Sequence, residues 1–216
     1  MRLCESNVQY DGDNGVLSQS FNNWIPELFK RKVDFDQNGS GSILDSDLTG
    51  YYKRHLYFVT MTLRSGVGVA RNSWSPIRNG LIFDSIYKGW YLSVCKRLLG
   101  PRYNKHPWLQ PFSMAFLDVE GTRHRPAPAT FQMPHVHALF LVHPSKSSRF
   151  ELLEKCGQFA PVTDNRIASV DLRAFRDRDQ SAERMMTYAA KYSRQTLTDG
   201  RHDKTWWVYP DLGLTP

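Results

Sequence analysis

Pro134-His135-Val136-His137-Ala138-Leu139-Phe140-Leu141-Val142 is the stretch from which the fold is read. As a strand it alternates faces, so its two histidines point the same way and a run of apolar residues follows them into a core. Two further runs precede it. Tyr57-Phe58-Val59-Thr60-Met61-Thr62-Leu63 is β-branched and aromatic and is ended by Arg64-Ser65-Gly66, and Phe112-Ser113-Met114-Ala115-Phe116-Leu117-Asp118-Val119-Glu120 has the same character. After it, Ile167-Ala168-Ser169-Val170-Asp171-Leu172 reads as a fourth strand and Trp206-Trp207-Val208-Tyr209 as a closing one.

Helical signals fall between these runs. Ile82, Ile86, Trp90, Val94 and Leu98 recur every four residues before Gly100-Pro101, the spacing of an amphipathic helix with a stop signal. Ser147-Ser148 can cap a helix through Phe150, Leu153 and Cys156, and Ser181 to Gln195 reads as another. The expected class is α+β: a central antiparallel sheet of about five strands, sequential strands as neighbours, with helices mainly on one face. The loop from Gly121 to Gln132 is long for a hairpin, and its Arg123-His124-Arg125 is suited to touching phosphate.

Charge divides the chain. Residues 1–50 hold four Lys/Arg against eight Asp/Glu, net −4, while residues 51–216 hold 24 against 13, net +11. The basic part, in a chain with ten tyrosines and six tryptophans, suits a polyanion with stackable bases. Residues 1–50 are read as an acidic N-terminal arm and flexible linker, with a short helix after Asn23, and residues 51–216 as the folded domain. Asp34-Phe35-Asp36-Gln37-Asn38-Gly39 with Asp45 matches several positions of a calcium loop, but Gly41 at the eighth position and Asp at the twelfth favour a solvated linker. Cys4, Cys95 and Cys156 are few and widely spaced, which suggests neither a disulfide framework nor a zinc ribbon. With no apolar leader and no spanning segment, a soluble cytoplasmic protein is expected.

His135 and His137 form half a metal site. Glu120, at the end of the preceding strand, is the expected third ligand if the two strands pair antiparallel; Asp118 shares its face and is the alternative. Two imidazoles and a carboxylate leave coordination positions open for a phosphate oxygen, and the lack of a nearby cysteine favours Mg²⁺ or Mn²⁺ over zinc. His143 has the same parity but abuts Pro144, and is left out of the shell. On the Ser181 helix, Tyr188, Lys191 and Tyr192 stand at i, i+3 and i+4, on one face. Taken alone, tyrosines at this spacing pack a helix onto a sheet.

Together, His-apolar-His on a strand, an acidic residue on the strand before and Tyr188-Ala189-Ala190-Lys191-Tyr192 on a later helix resemble the HUH endonuclease superfamily. Phe58 to Leu63 resembles the family's first strand motif, and the tyrosines four apart are most similar to the two-tyrosine rolling-circle replication initiators of single-stranded-DNA phages and plasmids. The resemblance covers roughly residues 55–195 and implies a ferredoxin-like, RRM-like sheet. It implies His135, His137 and Glu120 as metal ligands, and Tyr188, Tyr192 and Lys191 as catalytic residues. The implied partner is single-stranded DNA at a replication origin, with a host polymerase extending the free 3′-hydroxyl. No P-loop is present, so unwinding falls to a host helicase. A conjugative relaxase or single-strand transposase would use the same chemistry; a non-catalytic nucleic-acid-binding module would leave the histidines and tyrosines structural.

Overall fold

The structure is a computed structural model that describes residues 14–37, 45–64, 76–118, 135–160, 164–177, 181–191, 193 and 205–211. Its elements are α1 (Asn14–Asp36), α2 (Asp45–His55), β1 (Leu56–Leu63), α3 (Pro76–Leu99), β2 (Phe112–Asp118), β3 (His135–Leu141), α4 (Ser147–Lys155), β4 (Ile167–Ala174), α5 (Ala182–Ala189) and β5 (Trp206–Tyr209). The strands form one sheet in the order β4-β1-β3-β2-β5, and every neighbouring pair is antiparallel.

Sequential neighbours hold only for β2 and β3. Because β1 and β2 both run antiparallel to β3, they are parallel to one another, and a parallel pair needs a crossover. The long helix α3 supplies it, stepping over β3; α4 connects β3 to β4 over β1 in the same way. The result is the β-α-β-β-α-β arrangement of ferredoxin-like sheets, with β5 added beside β2.

Both crossover helices lie on one face. Ile86, Tyr87, Tyr91, Val94 and Leu98 of α3 and Phe150 of α4 pack against Tyr57, Val59, Ala115, Ala138 and Phe140. Gly100 ends α3 with φ +86°, its N–H donating to the Lys96 carbonyl at 2.8 Å, a left-handed helix stop that a side chain would strain. The second face is also covered. Ile25, Leu28, Phe29 and Val33 of α1, Tyr51 and Tyr52 of α2, and Met185, Met186 and Ala189 of α5 pack on Phe58, Phe112, Met114, Phe116 and Leu139. Buried on both sides, β3 and β2 need continuous apolar runs and have them.

One stripe of α1 thus belongs to this core. The helical stripe Ile25, Leu28, Phe29, Lys32, Val33 has a charge at one of its inward positions, which disguises it in the sequence. Lys32 is fully buried, and its ammonium is paired with Asp36, whose other carboxylate oxygen accepts from the Tyr51 hydroxyl at 3.2 Å. Burial lowers the Lys32 pKa, and Asp36 opposes that. Asp34 and Asp36 thus belong to the last turn of α1 and Asp45 opens α2, while residues 38–44 of the calcium-like pattern lie outside the described residues. Lys32→Ala would leave Asp36 buried without its cation, at an expected cost of about 3–5 kcal/mol. Urea unfolding checks this; a loss under 1 kcal/mol would place the pair outside the core.

A second polar cluster ties the end of β3 to α1 and α2. His143 lies 4.0 Å from Asp36, and His55 meets the Ser147 hydroxyl at 2.7 Å. Burial lowers both histidine pKa values, His55 to about 4. The unfolded chain takes up these protons near pH 6.5 and the folded protein only at lower pH, so this contribution to stability is complete above about 6.5 and is lost toward 4. Tm is expected to fall between pH 6.5 and 5, less steeply in His55→Gln; a flat Tm across that range would contradict the burial of these rings.

Candidate metal centre

The candidate site forms on the face covered by α1, α2 and α5, at the end of the sheet where β2 stops and β3 begins. Register brings it together: Asp118 pairs across from His135, and Thr60 from His137. His135 Nε2 and His137 Nε2 face one another at 3.1 Å, and each lies 3.5 Å from the same oxygen, Oδ2 of Asp118. Asp118 and His137 are buried and His135 is half-buried.

These distances fit one ion. Three atoms at such separations lie about 2 Å from a common centre, which matches the roughly 2.0–2.2 Å that nitrogen and oxygen ligands keep from Zn²⁺ or Mg²⁺. Two ring nitrogens aimed at each other also require a proton or a cation between them. Burial alone would raise the Asp118 pKa, but the His135 and His137 rings beside it outweigh that and hold the carboxyl below the usual range. Burial lowers the His137 pKa, which keeps the imidazole neutral with a lone pair to give. Asp118, His135 and His137 lie close enough to bind a metal ion.

Around the triad, Thr60 Oγ1 lies 3.3 Å from His137 Nδ1, and the Phe58 ring is 5.1 Å from the His137 ring. Tyr188 comes from the last turn of α5. Ser181 caps that helix, its side chain accepting from the Arg184 N–H at 3.2 Å, and the buried Met185, Met186 and Ala189 seat it on the sheet. With those residues facing inward, Tyr188 sits at the border of the site, 38% exposed, its ring 5.3 Å from His137 and 6.0 Å from Phe58. Lys191 is half-buried and near enough for its charge to lower the pKa values of both Asp118 and His137.

Of the residues expected from sequence, His135, His137, Tyr188 and Lys191 are brought together. Glu120 and Tyr192 lie outside the described residues, as does the loop with Arg123 and Arg125. The carboxylate in place is that of Asp118, the alternative ligand. His143 is at the other end of β3 beside Asp36, away from the triad. Thr60 was visible only as part of an apolar strand with threonines, and its partner could be found only from the register.

A cleft of about 810 Å³ opens elsewhere on this face, lined by residues of α1, α2, α5 and the turn after β4. Its cations Lys30, Lys53 and Arg176 are offset by Glu27 and Glu183, and it includes no triad residue. No helix among the described residues is long and apolar enough to cross a membrane. The chain matches no protein-family model, no curated protein and no solved structure.

Proposed function

We propose that this chain is an HUH-type endonuclease that nicks and rejoins single-stranded DNA to start rolling-circle replication, with Mg²⁺ or Mn²⁺ at Asp118, His135 and His137. The observation that carries the proposal is the placement of Tyr188, a hydroxyl nucleophile on a separate helix, against a metal-competent triad on the sheet. A bound divalent ion would supply Lewis-acid polarisation of the scissile phosphate.

The chain's own residues account for the rest. Tyr188 Oη attacks phosphorus in line, a tyrosyl O–P bond forms and the P–O3′ bond breaks, leaving a 5′-phosphotyrosine and a free 3′-hydroxyl. The phenol's proton goes to solvent and the departing 3′-oxygen takes one up. A phenol is a poor nucleophile at neutral pH without help, and the Lys191 ammonium, close to the triad, would offset the charge that builds on phosphate. Tyr192 performs the second transesterification, releasing a closed circle. Glu120, two residues beyond β2 in sequence, remains a candidate additional ligand. The net charge of +11 over residues 51–216 supports a polyanionic partner.

The test is incubation with a panel of single-stranded origin oligonucleotides and Mn²⁺, followed by denaturing electrophoresis. A covalent protein–DNA adduct on the cognate origin is expected. Its absence on that origin, with metal present, would contradict the proposal.

A further inference from the structure

We propose that Thr60 is a positioning residue that holds the proton of His137 on Nδ1 and so turns the Nε2 lone pair toward Asp118 and His135. The inference rests on the metal-site reading above.

A neutral imidazole carries one proton and has two places to put it; a ring can bind a metal through Nε2 only when that proton is on Nδ1. His137 is buried, so an N–H on Nδ1 needs an acceptor. The Thr60 hydroxyl oxygen is the acceptor at hand, 3.3 Å from Nδ1 on the side of the ring away from the triad. Its position is set by the sheet. β1 is bonded on both edges, and Thr60 is paired with His137 on one side and Asp171 on the other, so the hydroxyl cannot drift along the strand. Phe58 and Tyr188 contact the same imidazole and limit its rotation. A ring fixed in plane and in tautomer is what a metal ligand requires of the groups behind it.

Thr60→Val keeps the shape and the β-branch but removes the acceptor. The His137 proton then gains nothing by staying on Nδ1, and its move to Nε2 would place it where the ion must sit. Thr60→Ser keeps the hydroxyl and loses only a methyl. The experiment uses the full chain and Mn²⁺ as the probe, with two readouts: calorimetric affinity, and the ¹⁵N shifts of the His137 ring in metal-free protein at fixed pH. Thr60→Val is expected to weaken Mn²⁺ binding by about 10–100-fold and to shift the tautomer toward Nε2–H, whereas Thr60→Ser stays close to wild type in both. Unchanged affinity and tautomer in Thr60→Val would overturn the role of Thr60 while leaving the metal site standing. Equal losses in Val and Ser would also overturn it, since packing and not the hydroxyl would then be the cause. If wild-type protein binds no Mn²⁺, the metal-site reading falls, and the ring still decides on Thr60: an Nδ1–H tautomer lost in Thr60→Val upholds the hydrogen bond, and an Nε2–H tautomer in wild type refutes it.

Discussion

Tyr188→Phe is expected to abolish the covalent protein–DNA adduct, a loss on the order of 10³-fold or more in the first cleavage step, while Mn²⁺ binding stays at the wild-type level. The substitution removes one oxygen and keeps the ring, so the contacts with His137 and Phe58 survive. Because Tyr188 is more than a third exposed, the change should move stability by less than about 0.5 kcal/mol. Adduct formation and metal affinity therefore separate chemistry from folding. Tyr192→Phe should leave the first adduct in place and block release of the circle. If instead the adduct persists in Tyr188→Phe and vanishes in Tyr192→Phe, the order of the two nucleophiles assigned here is reversed.

The second large effect belongs to the triad. His137→Ala removes one of three converging ligand atoms, and Asp118→Ala removes the one carboxylate oxygen that faces both rings. Each is expected to weaken Mn²⁺ binding by more than about 100-fold and to eliminate cleavage. A thermal shift reads the same quantity. An ion that binds only the folded protein stabilises it by about 2.7 kcal/mol at one hundred times its dissociation constant, and this metal-dependent rise in Tm should disappear in both variants. An undiminished rise in either would place the ion elsewhere. Asp118→Ala also leaves the two imidazoles facing one another without a carboxylate, so its metal-free Tm should fall further than that of Tyr188→Phe.

How far the sequence could be read follows from where its signals are local. All five strands were legible; β2 and β3, buried on both faces, carry the unbroken apolar runs Met114–Leu117 and Ala138–Leu141. So was α3, whose four-residue spacing and glycine stop need no tertiary information. Strand order was not, because the parallel relation of β1 and β2 is set by β3 inserting between them, and that is a pairing choice between distant segments. The role of α1 was hidden by Lys32: a lysine on the inward stripe reads as surface until Asp36 and Tyr51 are seen to enclose it. α2 was hidden too, with Asp45–His55 divided by a domain boundary placed at residue 50.

At the site, the two histidines came from strand periodicity and Tyr188 from the resemblance of the combined motifs, whereas the place of Asp118 came from register. Strand parity alone does not place a carboxylate beside the rings; the pairing of Asp118 with His135 does. Thr60 could not have been singled out for the same reason. Its chemistry lies in which residue it is paired with, and a strand's neighbours are not written in the strand.

The central claim is that one ion binds between Asp118, His135 and His137, beside Tyr188. Pulsed electron paramagnetic resonance on the protein loaded with one equivalent of Mn²⁺ tests it most directly. The account predicts couplings to two imidazole nitrogens, reduced to one in His135→Gln or His137→Gln; an ion with no histidine nitrogen in its coordination shell would contradict it.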